Sequence, residues 1–501
     1  MEQLITAAYE KLAVAARAGT KTEALFLAVR DLIITGALHG SERLPSSRRL
    51  AEQLELSRGL VNQVYEMLVA EGFARTERGS GTFVAYVRPS LQHSASPSKA
   101  AIPLSSWAKR LRSEQLTTGS GEKAHSRAEI DFSSGQSDVS LFPWDDWRTL
   151  MFEQVRRLFE QERYEPSELE GSRSLREAIA QELRRERGIV ASAGDIVITS
   201  GSMYAIALLS MLLIEPGSKV VVENPSYDGI RRAVEAAGGR PLYAAVDDYG
   251  IVPEPWDARL LFVTPSRQFP TGVALDPQRR KQLLEWASAH EAVIIEDDYD
   301  SEFRWGGRPS EPLKALDYEG RVVYVGTFSK TMFRELRLGY AVVPESLREP
   351  MRLAKHWLEP HSSGVAEQRA LAAFMASGLY SRHLRRQRRL YGRRLLKFRE
   401  EADRHLGGLF RFKPSDAGLH RYAEWTGAAA DFERLRAACL QASVKWSSCE
   451  PYWIAETKNG IKASGGRLGA LFTFAHLDEA DIAEGLRRIG DCWRKLAETG
   501  E

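Results

Sequence analysis

At 501 residues the chain is too long for one ordinary hydrophobic core, so a small domain beside a large one is expected. Its 43% apolar and 27% charged residues are ordinary for soluble globular protein, and no run is long and uncharged enough to suggest a membrane span. A net charge of +2 excludes a chain that is basic throughout, so any contact with nucleic acid must come from a local patch.

The N-terminal stretch MEQLITAAYEKLAVAARAG mixes charges with apolar side chains and lacks the h-region of a signal peptide, which makes a cytoplasmic location the expectation. Residues 1–87 read as one domain, with a helical unit from about Lys21 followed by a hairpin ending at Val87. A helix is predicted through TEALFLAVRDLIITGAL, with Leu25, Val29, Leu32 and Ile33 on one face and Gly36 near its end. In LPSSRRLAEQLELSRGLVNQVYEMLVAEG, Pro45 and Ser46 begin a short helix with Leu50, Ala51 and Leu54 inward. Leu56 and Ser57 form the turn, and Ser57 is placed to cap the next helix.

Two short helices joined by a tight turn form a helix-turn-helix, whose second helix enters the DNA major groove. On that helix Leu60, Val61, Val64, Tyr65 and Leu68 recur at helical spacing, which leaves Arg58, Gly59, Asn62 and Gln63 exposed near its start. An arginine offers a fork to guanine, and Asn or Gln offers one to adenine; Arg43, Arg48 and Arg49 are better placed for phosphates. FARTERGSGTFVAY reads as two strands around a Gly-rich turn, with Arg75, Arg78 and Gly79 at the tip of a wing. LPSSRRLA, LSRGLVNQVYEMLVAEG and RGSGTFV resemble the winged helix of the GntR family of bacterial regulators. That resemblance implies a double-stranded DNA operator as partner, met by Arg48, Arg58 and Gly79.

Residues 88–128 read as a linker, because RPSLQHSASPSK and TTGSGEKAHSR cannot bury a core. Within it, IPLSSWAKRLRSEQL predicts a short helix with Trp107 and Leu111 on one face, able to dock on the larger domain. From Glu129 to Glu501, apolar runs such as DIVIT, SKVVVENP, LLFVTP, AVIIEDD and RVVYVGTFSK alternate with helical stretches such as Gln278–His290. Such alternation predicts an α/β domain with a largely parallel sheet covered on both faces. After about Glu345 the pattern turns helical and basic, and SRHLRRQRRLYGRRLLKFRE reads as a long amphipathic helix with Leu384, Leu390, Tyr391, Leu395 and Phe398 inward. Cys439, Cys449 and Cys492 lack metal-ligand spacing and read as reduced thiols, so no metal is expected.

Lys330 follows a buried strand in VVYVGTFSKTMFRELRLGY; desolvation there lowers its pKa and makes it a competent amine for a Schiff base. Thr327, Ser329 and Arg337 are placed to bind a phosphate nearby. AVIIEDDYDSEFRW ends a second strand in carboxylates; Asp297 is chosen to face a ring nitrogen, Asp298 points to the opposite face, and Asp298 and Asp300 read as exposed acids. In ITSGSMYAIALLS the N–H groups near Gly201, Ser202 and Met203 can hold a phosphate on a helix N-terminus. VVVENPSYDGI offers Tyr227 as a stacking ring, and VTPSRQFPTG supplies a turn.

Taken in this order, ITSGS, NPSY, TPSRQFPTG, IIEDDYDSEF and GTFSK with RLGY resemble fold-type I aminotransferases, and more closely the aminotransferase-like domain of MocR regulators, a GntR subfamily. The resemblance runs from about Ile130 to the C-terminus and implies a smaller C-terminal α+β subdomain. It implies pyridoxal 5'-phosphate in an aldimine with Lys330, Asp297 at the pyridine nitrogen, Tyr227 on the ring and Tyr299 toward the ring hydroxyl. Gly201, Ser202, Met203, Thr327, Ser329 and Arg337 would surround the phosphate. A homodimer is implied too, with the winged helix of one chain against the large domain of the other. Phe269 stands where aminotransferases carry the asparagine before P-T-G, and Gly229 stands where regulators that sense γ-aminobutyrate carry an arginine, so that ligand is not expected. The combined expectation is a regulator that senses an amino compound, or the cofactor itself, through Lys330. A working aminotransferase with a DNA-binding extension is the alternative.

Overall fold

The computed structural model describes residues 1–14, 20–86, 103–111, 128–133, 135, 137–160, 168–306, 311–454, 457–458, 461–462 and 468–499. It divides into two compact units, Met1–Pro103 and Leu104–Glu501. Most of the stretch read as a linker lies outside the described residues.

The first unit contains α1 (Glu2–Val14), α2 (Lys21–Thr35), α3 (Ser47–Leu54), α4 (Arg58–Ala70) and the antiparallel hairpin β1 (Ala74–Glu77) and β2 (Gly81–Val84). Thr20 caps α2 by accepting from the Glu23 N–H, and the helix stops at Gly36, which takes the left-handed conformation. The short helix begins at Ser47, after the expected Pro45 and Ser46, because the Ser46 hydroxyl accepts from the Arg49 N–H and so makes Ser46 the cap. Ser57 caps α4 as expected, at 3.2 Å from the Leu60 nitrogen. Leu25, Val29, Ile33, Leu50, Val61, Val64 and Leu68 share one core. The Tyr65 hydroxyl donates to the Pro45 carbonyl at 2.7 Å and ties α4 to the start of α3.

Helix α1 is an addition to the expected unit. Its Ile5 and Tyr9 enter the same core, Glu2 pairs with Arg49 at 2.8 Å, and Thr6 accepts from Gln53 at 3.0 Å. Residues 5, 8, 9 and 12 of this stretch are apolar at helical spacing, a signal masked by its small alanines.

The second unit opens with α5 (Ser106–Arg110), β3 (Ile130–Asp131), α6 (Trp144–Glu160) and α7 (Arg173–Arg187). Trp107 and Leu111 remain 51% and 49% exposed, contrary to the expected docking face. A helix of five residues presents little of a face, and Arg110 instead ties it down by donating to the Ala236 carbonyl at 3.1 Å. Alternating elements follow: β4 (Ile196–Thr199), α8 (Ser202–Leu213), β5 (Lys219–Asn224), α9 (Asp228–Ala237), β6 (Arg240–Asp247), β7 (Gly250–Ile251), β8 (Leu260–Val263) and α10 (Pro277–Ala289). Next are β9 (Val293–Asp298), α11 (Leu313–Leu316), β10 (Val322–Thr327), β11 (Gly339–Val342), α12 (Glu345–Leu358) and α13 (Val365–Ala376).

The large sheet has the order β4-β11-β10-β9-β8-β5-β6-β7. Strands β10, β9, β8, β5 and β6 run parallel, whereas β11 is antiparallel to both β10 and β4. Every residue of β4 and β8 is buried, which is why these strands read as continuous apolar runs. One core lies around Ile206, Leu209, Val222 and Phe262, and another around Val221, Leu261, Leu283 and Trp286. Successive residues of β5 and β8 thus enter different cores, as strand geometry requires.

The long α14 (Leu379–Leu406) buries Leu384, Tyr391, Leu395 and Phe398, as its spacing predicts, with Leu390 half-buried. Beyond it lie β12 (Phe410–Phe412), β13 (His420–Trp425), α15 (Ala429–Gln441), β14 (Val444–Lys445), β15 (Ser447–Ser448), the small hairpin β16 (Thr457–Lys458) and β17 (Ile461–Lys462), β18 (Gly469–Thr473) and α16 (Glu479–Thr499). An antiparallel sheet, β12-β13-β18-β15, packs an aromatic core of Phe398, Phe410, Trp425, Phe432, Trp446 and Phe472 and forms the smaller α+β part.

Candidate functional site

The candidate residues gather where strands of the large sheet end. Strand β4 runs into Gly201 and α8, β5 into Tyr227 and α9, β8 into Arg267, β9 ends on Asp297 and Asp298, and β10 leads to Lys330. In open α/β sheets the carboxyl ends of the parallel strands are where ligands bind, because the loops there diverge.

Gly201 caps α8 at φ +89° with no side-chain bond, so the first N–H groups of the helix, at Ser202 and Met203, have no intrahelical partner. The Arg337 guanidinium reaches to 3.3 Å from the Ser200 carbonyl, and a Cβ on Gly201 would lie 3.0 Å from its Nη2. Strand register sets Thr327 opposite Gly339, and Gly339 opposite Thr199, in one row across β10, β11 and β4. That row sets Thr327, whose hydroxyl lies 3.1 Å from that of Ser329, across Gly339 from the strand that leads into α8. Gly339 permits it: a Cβ there would lie 2.6 Å from the carbonyl carbon of Gly201 and 2.7 Å from the Ser202 nitrogen. Helix N–H groups, a guanidinium and hydroxyls make a cradle suited to a phosphate dianion.

Lys330 is half-buried and its amine donates to the Gly135 carbonyl at 2.5 Å, while Ser137 holds the Lys330 carbonyl at 2.7 Å. Burial holds the amine below the usual lysine range; Asp300 pulls it upward, and Arg334 and Arg267 push it down.

Asp297 is buried and its Oδ1 lacks a hydrogen-bond partner among the described residues. Burial, reinforced by Asp298 and Asp300, pushes its carboxyl up to about 7. Asp298 faces the other way, as expected, but it is buried, pairing with Arg187 and accepting from the Tyr324 hydroxyl at 2.8 Å. Asp300 is buried as well, paired with Arg267 at 2.8 Å. The reading of both as exposed acids is therefore corrected: a strand end that looks free in sequence is covered by Arg187 of α7 and Arg267 of the loop after β8. A buried carboxylate with an unused oxygen suits a ring N–H, which is the donor a protonated pyridine presents.

In the cofactor-free protein this carboxyl has a testable cost. Its folded pKa lies above that of the unfolded chain, so the folded state loses stability as pH rises from about 4 and the loss is complete above about 7. Urea unfolding across that window should show Asp297→Asn gaining on the parent chain as pH rises.

Tyr227 precedes α9, and its ring meets Phe269 edge to face with centroids 5.9 Å apart. A Cβ on Gly229 would lie 2.4 Å from Tyr227 Cε1, so any side chain at 229 needs the tyrosine ring to move. Arg231 and Arg232 both pair with Asp228. Phe269 is a hub, edge-on to Tyr227, Tyr299, His420 and Tyr452. Gln268 turns away from the ring position; its amide donates to the Pro225 carbonyl at 2.7 Å and accepts from the Thr271 hydroxyl at 2.6 Å, locking the turn. The Tyr299 phenol accepts from Arg267 at 3.1 Å.

Sequence reasoning overlooked Arg267 and His420, which are buried beside Tyr299, and Glu223, which accepts from the Thr264 hydroxyl at 2.6 Å and is pushed up to about 7 by burial. An arginine inside TPSRQFPTG, between a strand end and a proline turn, is the one signal that pointed there.

In the first unit Arg58, Gly59, Asn62 and Gln63 are exposed along the start of α4, and Arg78 and Gly79 at the hairpin tip, where Gly79 takes φ +80°. Arg48 pairs with Glu52 at 3.1 Å and Arg49 with Glu2; both pairs are exposed enough to exchange for phosphate at little cost.

Residues 21–84 match the family described as bacterial regulatory proteins, gntR family, and residues 128–457 match aminotransferase class I and II. The chain is 33% identical over 482 residues to the probable rhizopine catabolism regulatory protein MocR of Rhizobium meliloti, covering 95% of this chain and 94% of that protein. It is 32% identical over 396 residues to the HTH-type pyridoxine biosynthesis transcriptional regulator PdxR of Corynebacterium glutamicum, covering 78% of this chain and 80% of that protein. In fold it is similar to the kynurenine aminotransferase of Pyrococcus horikoshii, with a TM-score of 0.68 at 24% identity, covering 78% of this chain and 97% of the other. With a gntR-type reader, an aminotransferase class I and II domain and such relatives along nearly its full length, the chain belongs to the MocR-type regulators of the gntR family.

Proposed function

We propose that the chain is a cytoplasmic transcription regulator in which residues 1–87 read an operator, residues 88–128 link, and residues 129–501 hold pyridoxal 5'-phosphate at Lys330 and sense an amino compound. The observation that carries this reading is the site itself: a phosphate cradle, a buried carboxylate with one oxygen unused among the described residues, and a desolvated lysine at neighbouring strand ends. When bound, the cofactor supplies an aldehyde carbon that condenses with amines and a pyridine ring that withdraws electrons. Ser202, Met203, Thr327, Ser329 and Arg337 would hold its phosphate, and Asp297 would keep a proton on its ring nitrogen. Tyr227 would cover the ring, and Tyr299 would serve the ring hydroxyl. Lys330, whose amine burial holds below the usual lysine range, would supply the amine that condenses with that aldehyde.

Phe269 favours sensing over turnover, because an aromatic edge cannot make the hydrogen bond that asparagine gives a catalytic cofactor. For the amine to regulate, it must bind one arrangement of the chain better than another. The arrangement proposed is a homodimer with the readers exchanged between chains.

The test is to titrate the cofactor-loaded protein with primary amines while following its visible absorbance and its affinity for duplexes selected from random DNA. An amine that changes both supports the reading; DNA affinity blind to every amine that perturbs the absorbance overturns it. Steady multiple turnover of an amino donor and a keto acceptor would favour the enzyme instead. For the reader, Arg58→Ala should weaken specific binding by about 1–3 kcal/mol, measured by fluorescence anisotropy.

A further inference from the structure

Helix α9 has the stacking tyrosine at one end and a residue of the linker at the other. Tyr227 caps its start, and a Cβ on Gly229, in its first turn, would lie 2.4 Å from Tyr227 Cε1 and 3.0 Å from Met203 Sδ, so the ring rests on the helix backbone. At the far end Arg110 of α5 donates from Nε to the Ala236 carbonyl at 3.1 Å. That carbonyl is among the last four of the helix, which no intrahelical N–H reaches, and the negative end of the helix dipole favours a guanidinium there. Gly238 ends the helix at φ +95°, and a Cβ on it would lie 3.5 Å from the Arg110 Cζ, so the guanidinium lies against the cap. Trp107 and Leu111 are about half exposed, which leaves the Arg110 bond as a large part of what holds α5 in place among the described residues.

Between its ends α9 is stiffened from within. Arg231 pairs with Asp228 in the first turn and with Glu235 in the last, the second at 3.0 Å. Ile230 and Val234 fasten the inner face to the core around Val222 and Phe262. A helix of ten residues is about 15 Å long, so Arg110 is too far from a ring stacked on Tyr227 to touch it.

We propose that Arg110 is a positioning residue for the ring site: by holding the last turn of α9 it fixes where the first turn presents Tyr227, and so ties the stretch between reader and site to whatever occupies that site. This rests on reading Tyr227 as the ring that covers pyridoxal 5'-phosphate. A tie of this kind works in both directions. If an anchored α5 improves binding under Tyr227, binding there must favour the anchored α5 by the same factor.

The test uses the full chain, with pyridoxal 5'-phosphate as the probe. No residue of α5 is buried, so Arg110→Met should fold. Titration followed by visible absorbance should show that this variant binds the cofactor about threefold more weakly, or worse. Lys109→Met, which removes the neighbouring exposed cation, should bind like the parent. Hydrogen exchange read by peptide mass spectrometry follows the tie in the other direction. In the parent chain the cofactor should slow exchange in peptides covering α5 as well as in those covering the first turn of α9. In Arg110→Met at saturating cofactor the slowing should persist at α9 and vanish at α5. Equal affinities in Arg110→Met and the parent, an equal fall in Lys109→Met, or an α5 response that is absent from the parent or survives in Arg110→Met overturns the proposal. A parent chain that develops no visible absorbance with the cofactor overturns the functional reading, and this proposal with it.

Discussion

Lys330→Ala should abolish the visible absorbance band of the cofactor-loaded protein and every response of DNA affinity to amines, while leaving DNA binding itself intact. Among the described residues the amine of Lys330 donates to the exposed Gly135 carbonyl, so truncating it removes a nucleophile without leaving a buried donor or acceptor stranded there. The phosphate cradle and Asp297 do not depend on it, and pyridoxal phosphate should still bind, held by its phosphate and ring nitrogen without a covalent bond. The reader has its own core of Leu25, Leu50, Val61 and Leu68 and should be untouched. Absorbance spectroscopy, intact mass after borohydride reduction and anisotropy on the selected duplex check the three parts. A reduced adduct surviving in the variant would move the attachment to another lysine.

Gly339→Ala should be strongly damaging for a single added methyl. Its Cβ would meet backbone at 2.6, 2.7 and 2.9 Å, from atoms of Gly201 and Ser202 that cannot rotate away as a side chain can. Either β11 leaves its place between β10 and β4, or the N-terminus of α8 lifts from the sheet. Overpacking of this kind costs about 1–3 kcal/mol, seen as a lower urea midpoint. The second outcome also pulls the Ser202 and Met203 N–H groups off the phosphate, so pyridoxal phosphate affinity should fall about tenfold or more, a loss of at least about 1.4 kcal/mol. Isothermal titration with the cofactor and urea unfolding together distinguish a misplaced cradle from a weakened sheet. Unchanged values in both would mean that α8 has room the geometry denies it.

Much of this arrangement is legible in the sequence, for reasons that differ by element. The reader is legible because its capping serine, its apolar spacing and its glycine turn are all local, and local rules decide them. Lys330 and Asp297 are legible because buried parallel strands announce themselves as β-branched runs, and a polar residue at the end of one has few directions to face. Asp298 and Asp300 were misread because burial at a strand end is decided by whatever crosses above it, here Arg187 from α7 and Arg267 from the loop after β8. Arg267 has only a weak local signal for the same reason: its partners lie at 299, 300 and 420, far from it in the chain. Helix α1 was missed although its spacing was adequate, because alanine-rich amphipathicity is weak until a partner face is known.

Helix α1 also bears on how the protein is best prepared. Glu2 pairs with the side chain of Arg49, a residue expected to meet DNA phosphate. A purification tag joined directly ahead of Met1 would begin beside this contact and place foreign charges next to an arginine meant for phosphate. Affinities measured on such a fusion would report the tag as well as the operator, so the tag belongs at the other terminus or must be cleaved before any DNA is added.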